Sequence, residues 1–361
     1  MSLEGGLRVG LKVLGARVAK VRITSTRPDV ARTLLQGRTR AEVEAAVPLL
    51  FSICSSSQAA ASRLACAAAA GEEATPDVLA QCSAAVSAET VRECAWRTLL
   101  DWPRWLGEAA SDDAVAAARA SLAYRFDTGP VTSRIALAAF GSSAQEWLAL
   151  DSLAEFDRWA DAGHTASARF IRRVRDDDAA TTGPAMPSLL AREHDAAWVA
   201  ELCEACTADP VFARHPTWRG TPAETGALAR LQDDPLLVAL IRRSAGRLPA
   251  RFAARLRELA LLIAGRATSA VGVLALPTGG GAAWVENARG LLIHQVRLEV
   301  GCVDTYRIIA PTEWNFHPDG VLAAALMDAP ASNPDALRQR ATRLVHSLDP
   351  CVTCQVEFDD A

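Results

Sequence analysis

The sequence lacks an excess of positive charge. Its 361 residues include only two lysines, and they carry a formal net charge of −4 with an isoelectric point near 5.9. Nucleic-acid binding depends on clustered positive charge that neutralises phosphates. The charge balance therefore argues against a nucleic-acid partner.

A targeting segment and a long apolar run are also missing. The chain opens with Met1, Ser2, Leu3 and Glu4, without the basic segment and following apolar segment of a signal peptide. Apolar runs such as residues 259–264 stop well short of the roughly 20 residues that a membrane span requires. We therefore expect a cytoplasmic protein with no membrane span.

Enough apolar sequence is present to form a sizeable core, since half of the residues are hydrophobic and 22% are charged. Without repeats or low-complexity linkers, residues 1–361 are interpreted as one domain. Alternating residues on both sides of Gly15 predict a hairpin, which with a short helix fills residues 1–37. Helical patterns cover 38–265, and a mixed region covers 266–361. The predicted fold class is α+β and mainly helical.

Two helix starts can be placed from the sequence. Thr39 and Glu42 have the spacing of a capping box. Ser55 and Gln58 mark a second start, so Cys54 is expected just before a helix. The glycine run at 279–281 is not followed by a phosphate-loop lysine and is interpreted as a flexible turn.

Nine cysteines, an odd number, are expected to stay reduced in a chain without an export signal. Four of them lie in Ala-rich or apolar stretches and are interpreted as small buried hydrophobic residues. These four are Cys66, Cys82, Cys94 and Cys302. The candidates for chemistry are therefore Cys54, the pair Cys203 and Cys206, and the pair Cys351 and Cys354.

The closing motif places two thiols three residues apart. Asp349 followed by Pro350 is the pairing typical of an N-cap and first helical position, which predicts that Cys351 and Cys354 share the first turn of a helix. There the helix dipole would favour thiolate, the form that binds metal. A metal site, a redox dithiol and an incidental pair all remain open at this point.

The second pair, Cys203 and Cys206, ends a helical pattern and is not followed by another pair at zinc-finger spacing. His215 is a possible third ligand. A structural role and an accessory metal or redox site both remain open for these thiols.

Seven blocks in order along the chain resemble the large subunit of nickel-iron hydrogenases. The blocks are LEGGLRV at 3–9, LLQGR at 34–38, ICSSSQAAA at 53–61, ETGALAR at 224–230, ENARGLLIH at 286–294, YRIIAPTEWN at 306–315 and DPCVTC at 349–354. The resemblance implies that family's fold with a shortened central region.

Departures from the family pattern imply that hydrogenase activity is lost. In the family, four cysteines hold nickel and iron, but this chain has Ser57 in place of the first bridging cysteine, and a hydroxyl is a poor substitute for a soft thiolate. Ala61 and Glu357 replace two histidines, and Arg32 falls where the family has an acidic magnesium ligand. We therefore expect a non-catalytic protein that binds neither nickel nor magnesium.

What remains of the pattern surrounds the iron, which in that family carries two cyanides and one carbon monoxide. By resemblance, Arg289 and Thr312 match the residues that donate hydrogen bonds to the cyanides, and Asp349 matches the acid beside that arginine. Each charge-assisted bond of this kind contributes roughly 1.5 to 3 kcal/mol. The resemblance implies that Cys354, with Cys351 or Cys54, holds the iron.

The whole pattern is similar to the HupK/HoxV type of hydrogenase expression/formation protein. That resemblance implies a scaffold that transiently binds the Fe(CN)2(CO) fragment, receives it from HypC/HypD-type assembly proteins, and passes it to the large subunit precursor. Two alternatives stay open. The chain could be a metal-free structural chaperone of the large subunit, or a thiol redox or zinc-binding protein that uses both CxxC pairs.

Overall fold

The structure is a computed structural model that describes residues 5–29, 31–125, 129–178, 186–190, 195–244 and 247–359. Glu4, in the first block of the resemblance, lies outside these residues. Nine strands are described: β1 (Gly6–Leu14), β2 (Arg17–Ser25), β3 (Ser188–Leu189), β4 (Ala223–Glu224), β5 (Val271–Leu276), β6 (Gly280–Asn287), β7 (Gly290–Glu299), β8 (Cys302–Ile309) and β9 (Thr353–Asp359).

The described helices outnumber the strands, in agreement with the mainly helical α+β prediction. They are α1 (Arg40–Leu50), α2 (Ser55–Ala69), α3 (Pro76–Trp96), α4 (Trp102–Trp105), α5 (Asp112–Ser121), α6 (Gly129–Phe140), α7 (Ala144–Leu148), α8 (Leu153–Ala162), α9 (Ala166–Asp178), α10 (Ala196–Ala208), α11 (Ala227–Arg230), α12 (Pro235–Arg243), α13 (Leu248–Ile263), α14 (Pro311–Asn315), α15 (Val321–Leu326) and α16 (Pro334–Leu348). None of these described helices combines the length and the apolar character that crossing a membrane requires.

The first and last strands belong to one sheet. Strands β1 and β2 form the expected antiparallel hairpin, with Gly15 in the left-handed conformation at the turn. Strand β9 pairs with β1 in parallel, and Leu7 lies in register with Cys354. Because apolar residues of β1 face the main helical core, this sheet holds the end of the chain against that core.

Helix α2 packs directly on the second sheet, whose strand order is β5-β6-β7-β8. Its surface is rich in buried alanines, so the helix backbone approaches β6 closely. A Cβ atom at Gly281 would lie 2.3 Å from the carbonyl oxygen of Ala65 and 2.4 Å from the backbone nitrogen of Ala69. The predicted flexible turn is therefore wrong for Gly280 and Gly281, which belong to β6, while Gly279 lies in the turn before it.

Both predicted helix starts are present, but they are capped differently. Thr39 and Glu42 form the capping box of α1. Helix α2 begins at Ser55, directly after Cys54, without a side-chain cap from its own N-cap residue. The carboxylate of Glu89 in α3 accepts hydrogen bonds from the backbone nitrogens of Ser56 and Ser57 instead.

The closing motif differs from its prediction, because it ends a helix rather than beginning one. Asp349 is the C-cap of α16 and has a left-handed backbone with φ 49°. The α-helical conformation is disfavoured for a residue that precedes a proline, as Asp349 does, so α16 stops at Leu348. Cys351 then lies in a bend, and Cys354 lies in β9. The helix dipole therefore does not act on these two thiols in the way that the sequence suggested.

Candidate metal-binding site

Cys54 and Cys351 meet beside one cavity. Cys54 ends the short 3-10 turn Ser52–Cys54 before α2, and Cys351 follows α16. The two side chains share a hydrogen bond. Both line a cavity of about 370 Å³, called here the thiol cavity. The rest of its lining is mainly apolar and consists of Arg27, Pro28, Thr33, Leu34, Leu50, Phe51, Ser52, Ile53, Gln58, Asn287, Ala310, Pro311 and Val352.

One of the two sulfurs is favoured as thiolate. The hydrogen bond from Cys54 lowers the pKa of Cys351, and the nearby charges of Arg289 and Arg27 lower it further. The hydroxyl of Thr312 also donates to the Cys351 sulfur, at 3.6 Å. The hydrogen bond to Cys351, together with burial, raises the pKa of Cys54. These shifts favour a thiol at Cys54 and a thiolate at Cys351.

Arg289 is buried, with its side chain only 2% exposed. Its Nη2 donates to Glu93 at 2.8 Å, and its Nε lies 3.7 Å from Asp349. That Nε–H is buried and has no hydrogen-bond partner among the described residues. Arg289 lines a separate small cavity of about 20 Å³, and its charge acts on both cysteines from outside the described lining of the thiol cavity.

Asp349 lies among three guanidinium groups. Arg97 pairs with it at 3.0 Å, and Arg289 and Arg255 lie at 3.7 and 3.9 Å. Burial by itself would raise the pKa of Asp349, but these three cations lower it to about 2. The carboxylate therefore stays ionised, and it balances the positive charge behind Cys351.

Cys354 does not share the thiol cavity within the described structure. Its strand partner is Leu7, and its side chain packs against the main apolar core. Burial raises the pKa of Cys354 to about 11. Among the residues described, no group of three or more histidine, cysteine, aspartate or glutamate side chains is arranged to hold a metal.

Ser57, in the position of the missing bridging cysteine, is buried and bound to Glu89. Its hydroxyl donates to one carboxylate oxygen, which also accepts from the Ser57 backbone nitrogen at 3.1 Å. Burial raises the pKa of Glu89 above its usual value. The hydroxyl is therefore engaged away from the sulfurs and is not held ready as a ligand.

The other departures from the hydrogenase pattern differ in their exposure. Ala61 is buried in α2, while Arg32 and Glu357 are exposed.

The accessory pair, Cys203 and Cys206, lies inside α10 among apolar residues. Burial raises the pKa of each thiol to about 12. His215, the suggested third ligand, has its ring 5.7 Å from the ring of His317. Burial thus favours the neutral thiols, the form with the weaker affinity for metal.

The four cysteines interpreted as small hydrophobic residues differ in exposure. Cys66, Cys82 and Cys94 are buried as expected, and Cys302 is half-buried.

Sequence reasoning missed several residues around the thiols. Glu89 and Glu93 lie one helical turn apart in α3 and contact Ser57 and Arg289. Their i, i+4 spacing places both carboxylates on one face of the helix, and this is the signal that the sequence offered. The sequence marks Gln58 as a helix-start residue but does not show that it contacts Cys54.

The arrangement offers sulfur ligands and hydrogen-bond donors close to one another. A thiol and a thiolate line a mainly apolar cavity, and thiolate is a ligand type that suits iron. Arg289 has a buried donor without an acceptor, and Thr312 is a second donor beside Cys351. Donors of this kind suit anionic groups in a site of low dielectric constant.

Comparisons with known proteins identify the fold and the family of the chain. Residues 266–357 match the family of nickel-dependent hydrogenases. The structure resembles the Ni-Fe-Se hydrogenase of D. vulgaris Hildenborough in its reduced state, with a TM-score of 0.60 and 16% identity over 94% of each chain. This likeness confirms the large-subunit-like fold.

Two relatives match over nearly the full length. The hydrogenase expression/formation protein HoxV of Cupriavidus necator is 32% identical over 371 residues, covering 94% of this chain and 93% of the relative. The hydrogenase expression/formation protein HupK of Rhizobium leguminosarum bv. viciae is 31% identical, covering 99% of this chain and 97% of the relative. The chain therefore belongs to the HoxV/HupK family of hydrogenase expression/formation proteins.

Proposed function

We propose that this protein is a non-catalytic scaffold in nickel-iron hydrogenase maturation that transiently binds the Fe(CN)2(CO) fragment as cargo. The single observation that carries the proposal is the hydrogen-bonded pair of Cys54 and Cys351 at the thiol cavity, with the Arg289 charge behind it. The iron binds the sulfurs of this pair. Arg289 and Thr312 donate to the cyanides, as their match to the hydrogenase pattern suggests.

The site is suited to release because it offers few ligands. Ser57 is engaged by Glu89, so it does not complete a four-sulfur site of the kind that retains nickel and iron. Cys354 is the third candidate sulfur. For it to reach the cavity, the start of β9 must separate from β1, because Cys354 lies in register with Leu7. Cys54 and Cys351 are available as sulfur ligands at once, and Cys354 becomes available only if β9 moves. So few ligands give binding that is specific but reversible.

The partners follow from the same role. The scaffold receives the fragment from HypC/HypD-type assembly proteins and passes it to the precursor of the hydrogenase large subunit. The large-subunit-like fold supports this second partner, since a carrier that resembles its recipient can present the cargo in a similar setting. The names of the two full-length relatives support a role in hydrogenase formation.

Infrared spectroscopy tests the proposal. Protein purified anaerobically from a host with the assembly machinery should show cyanide and carbonyl stretching bands. Cys351→Ala and Cys54→Ala should abolish them, because each removes a sulfur ligand. The double variant Cys203→Ala, Cys206→Ala is the matched control and should keep them, since both residues lie in α10 and pack in a separate apolar cluster. A wild-type protein without these bands would refute iron binding.

Further variants separate the alternatives. Bands that are unchanged in Cys354→Ala would limit the ligands to Cys54 and Cys351, whereas their loss would show that Cys354 takes part. A metal-free chaperone instead predicts that the double variant Cys351→Ala, Cys354→Ala still supports hydrogenase maturation. A zinc or redox protein predicts stoichiometric zinc, or a reversible disulfide, in purified material.

A further inference from the structure

A chain of buried hydrogen bonds ends on the sulfur of Cys54. The side-chain nitrogen of Gln58 lies 3.6 Å from Cys54 Sγ, and its oxygen lies 2.9 Å from His294 Nε2. His294 Nδ1 lies 2.7 Å from the hydroxyl of Tyr306. Gln58 is 3% exposed, His294 is 0% exposed and Tyr306 is 3% exposed, so water does not compete for these bonds.

The partners in this chain fix the direction of each bond. The amide oxygen of Gln58 is an acceptor, so His294 carries its proton on Nε2. His294 Nδ1 then accepts from the Tyr306 hydroxyl. Burial lowers the pKa of His294 to about 3, which agrees with a neutral ring. His294 and Tyr306 thus orient the Gln58 amide so that its NH2 group, rather than its oxygen, faces the sulfurs.

The oriented amide has donor capacity beyond its bond to Cys54. Its nitrogen carries two hydrogens, and one acceptor among the described residues, Cys54 Sγ, lies within hydrogen-bond distance of it. Gln58 lines the thiol cavity and also an adjoining cavity of about 410 Å³. An anion held against the mainly apolar lining requires donors, because burying an unpaired charge is costly.

We propose that Gln58 is a third donor to the anionic ligands of the bound iron, with His294 and Tyr306 as positioning residues that hold its NH2 group toward Cys54 and the cavity. This inference rests on the proposed function and adds a binding residue that the resemblance to hydrogenases did not supply. It assigns the donor role to the one side-chain amide nitrogen that contacts either of the two sulfurs among the described residues.

Infrared spectra of anaerobically loaded protein test the inference. Gln58→Leu removes the donor, and Gln58→Glu replaces the NH2 group with a second oxygen. Both variants should shift a cyanide band by more than the carbonyl band. The fraction of protein loaded should fall about tenfold or more, the effect expected for one lost hydrogen bond to a charged group. Gln81→Leu, at an exposed glutamine of α3, is the matched control and should leave both readouts unchanged.

Tyr306→Phe tests the positioning roles. It also keeps the inference testable if the Gln58 variants fail to fold. It removes the hydroxyl that fixes the His294 proton but leaves Gln58 in place, so it should shift the same cyanide band by a smaller amount. If wild-type bands are present and the Gln58 variants match them, the inference fails while the proposed function stands. If the bands of Tyr306→Phe match those of the wild type, the positioning roles fail. A wild-type protein without bands overturns both the function and the inference.

Discussion

Cys54 donates a hydrogen bond to Cys351, although the two residues come from motifs near opposite ends of the sequence. The contact forms because α2 begins directly after Cys54 and α16 ends just before Cys351. It favours a thiol at Cys54 and a thiolate at Cys351. This asymmetry has consequences that can be measured without any metal.

Alkylation should distinguish the two sulfurs in the metal-free protein. Because the pKa of Cys351 is lowered, this residue should react with iodoacetamide well below the usual thiol pKa of about 8.5. Cys54, whose pKa is raised, should react only in alkaline solution. Mass spectrometry of each cysteine across a pH series measures both rates.

Cys54→Ala provides the internal comparison. Without the donated hydrogen bond, the pKa of Cys351 should rise and its reaction near neutral pH should slow. Equal pH profiles for Cys351 in the wild type and the variant would contradict the effect of Cys54 on that pKa.

Asp349→Asn should destabilise the protein strongly. It leaves Arg97, Arg255 and Arg289 without the anion that they share, and breaking a buried ion pair costs about 3–5 kcal/mol. The free energy of unfolding from urea titrations measures the loss. Asp335→Asn, at an exposed site in the first turn of α16, is the control and should change that free energy much less.

The effect of Asp349 should also depend on pH. Its pKa is about 2 in the folded protein and about 3.9 in an unfolded chain, so its ionised form stabilises the folded state above about pH 4. That stabilisation is lost as the pH falls from about 4 towards 2. The difference in unfolding free energy between wild type and Asp349→Asn should therefore shrink over this interval, and a constant difference would argue against the assignment.

Ser57→Ala should lower stability by about 1.5–3 kcal/mol, the contribution of a hydrogen bond to a charged group. The substitution removes the hydroxyl that Glu89 accepts but keeps the backbone bonds that cap α2. Ser56→Ala is matched to it, since Ser56 contacts Glu89 through its backbone nitrogen. Equal urea midpoints for the two variants would show that the Ser57 hydroxyl contributes nothing.

Gly281→Ala should separate α2 from β6. The new Cβ would meet the backbone of Ala65 and Ala69, neither of which can move without shifting the helix. Overpacking of this kind costs about 1–3 kcal/mol. Gly129→Ala, where nothing lies within 4 Å of the added atom, should be neutral or slightly stabilising. Because α2 follows Cys54, Gly281→Ala should also slow alkylation of Cys351.

Local signals in the sequence predicted the local structure well. The alternation around Gly15 predicts the hairpin, and the spacing of Thr39 and Glu42 predicts the start of α1. The placement of Cys54 just before a helix is also correct. Each of these features depends on residues within a few positions of one another.

Features that depend on residues far apart in the sequence could not be predicted from local patterns. Asp349 and Pro350 are compatible with either end of a helix, and the preceding residues of α16 together with pairing of β9 to β1 decide between them. Glu89 caps α2 from another helix, so the sequence around Ser57 carries no sign of it. The family resemblance pointed to the cysteines, whereas the chain through Gln58 and His294 required the structure.

Pairing of β9 with β1, together with the contact between Cys54 and Cys351, fixes when the site can exist during synthesis. A ribosome that has made the N-terminal hairpin and every helix through α16 has still not made the second sulfur. A nascent chain therefore lacks the pair of Cys54 and Cys351 until nearly all of its residues have left the exit tunnel.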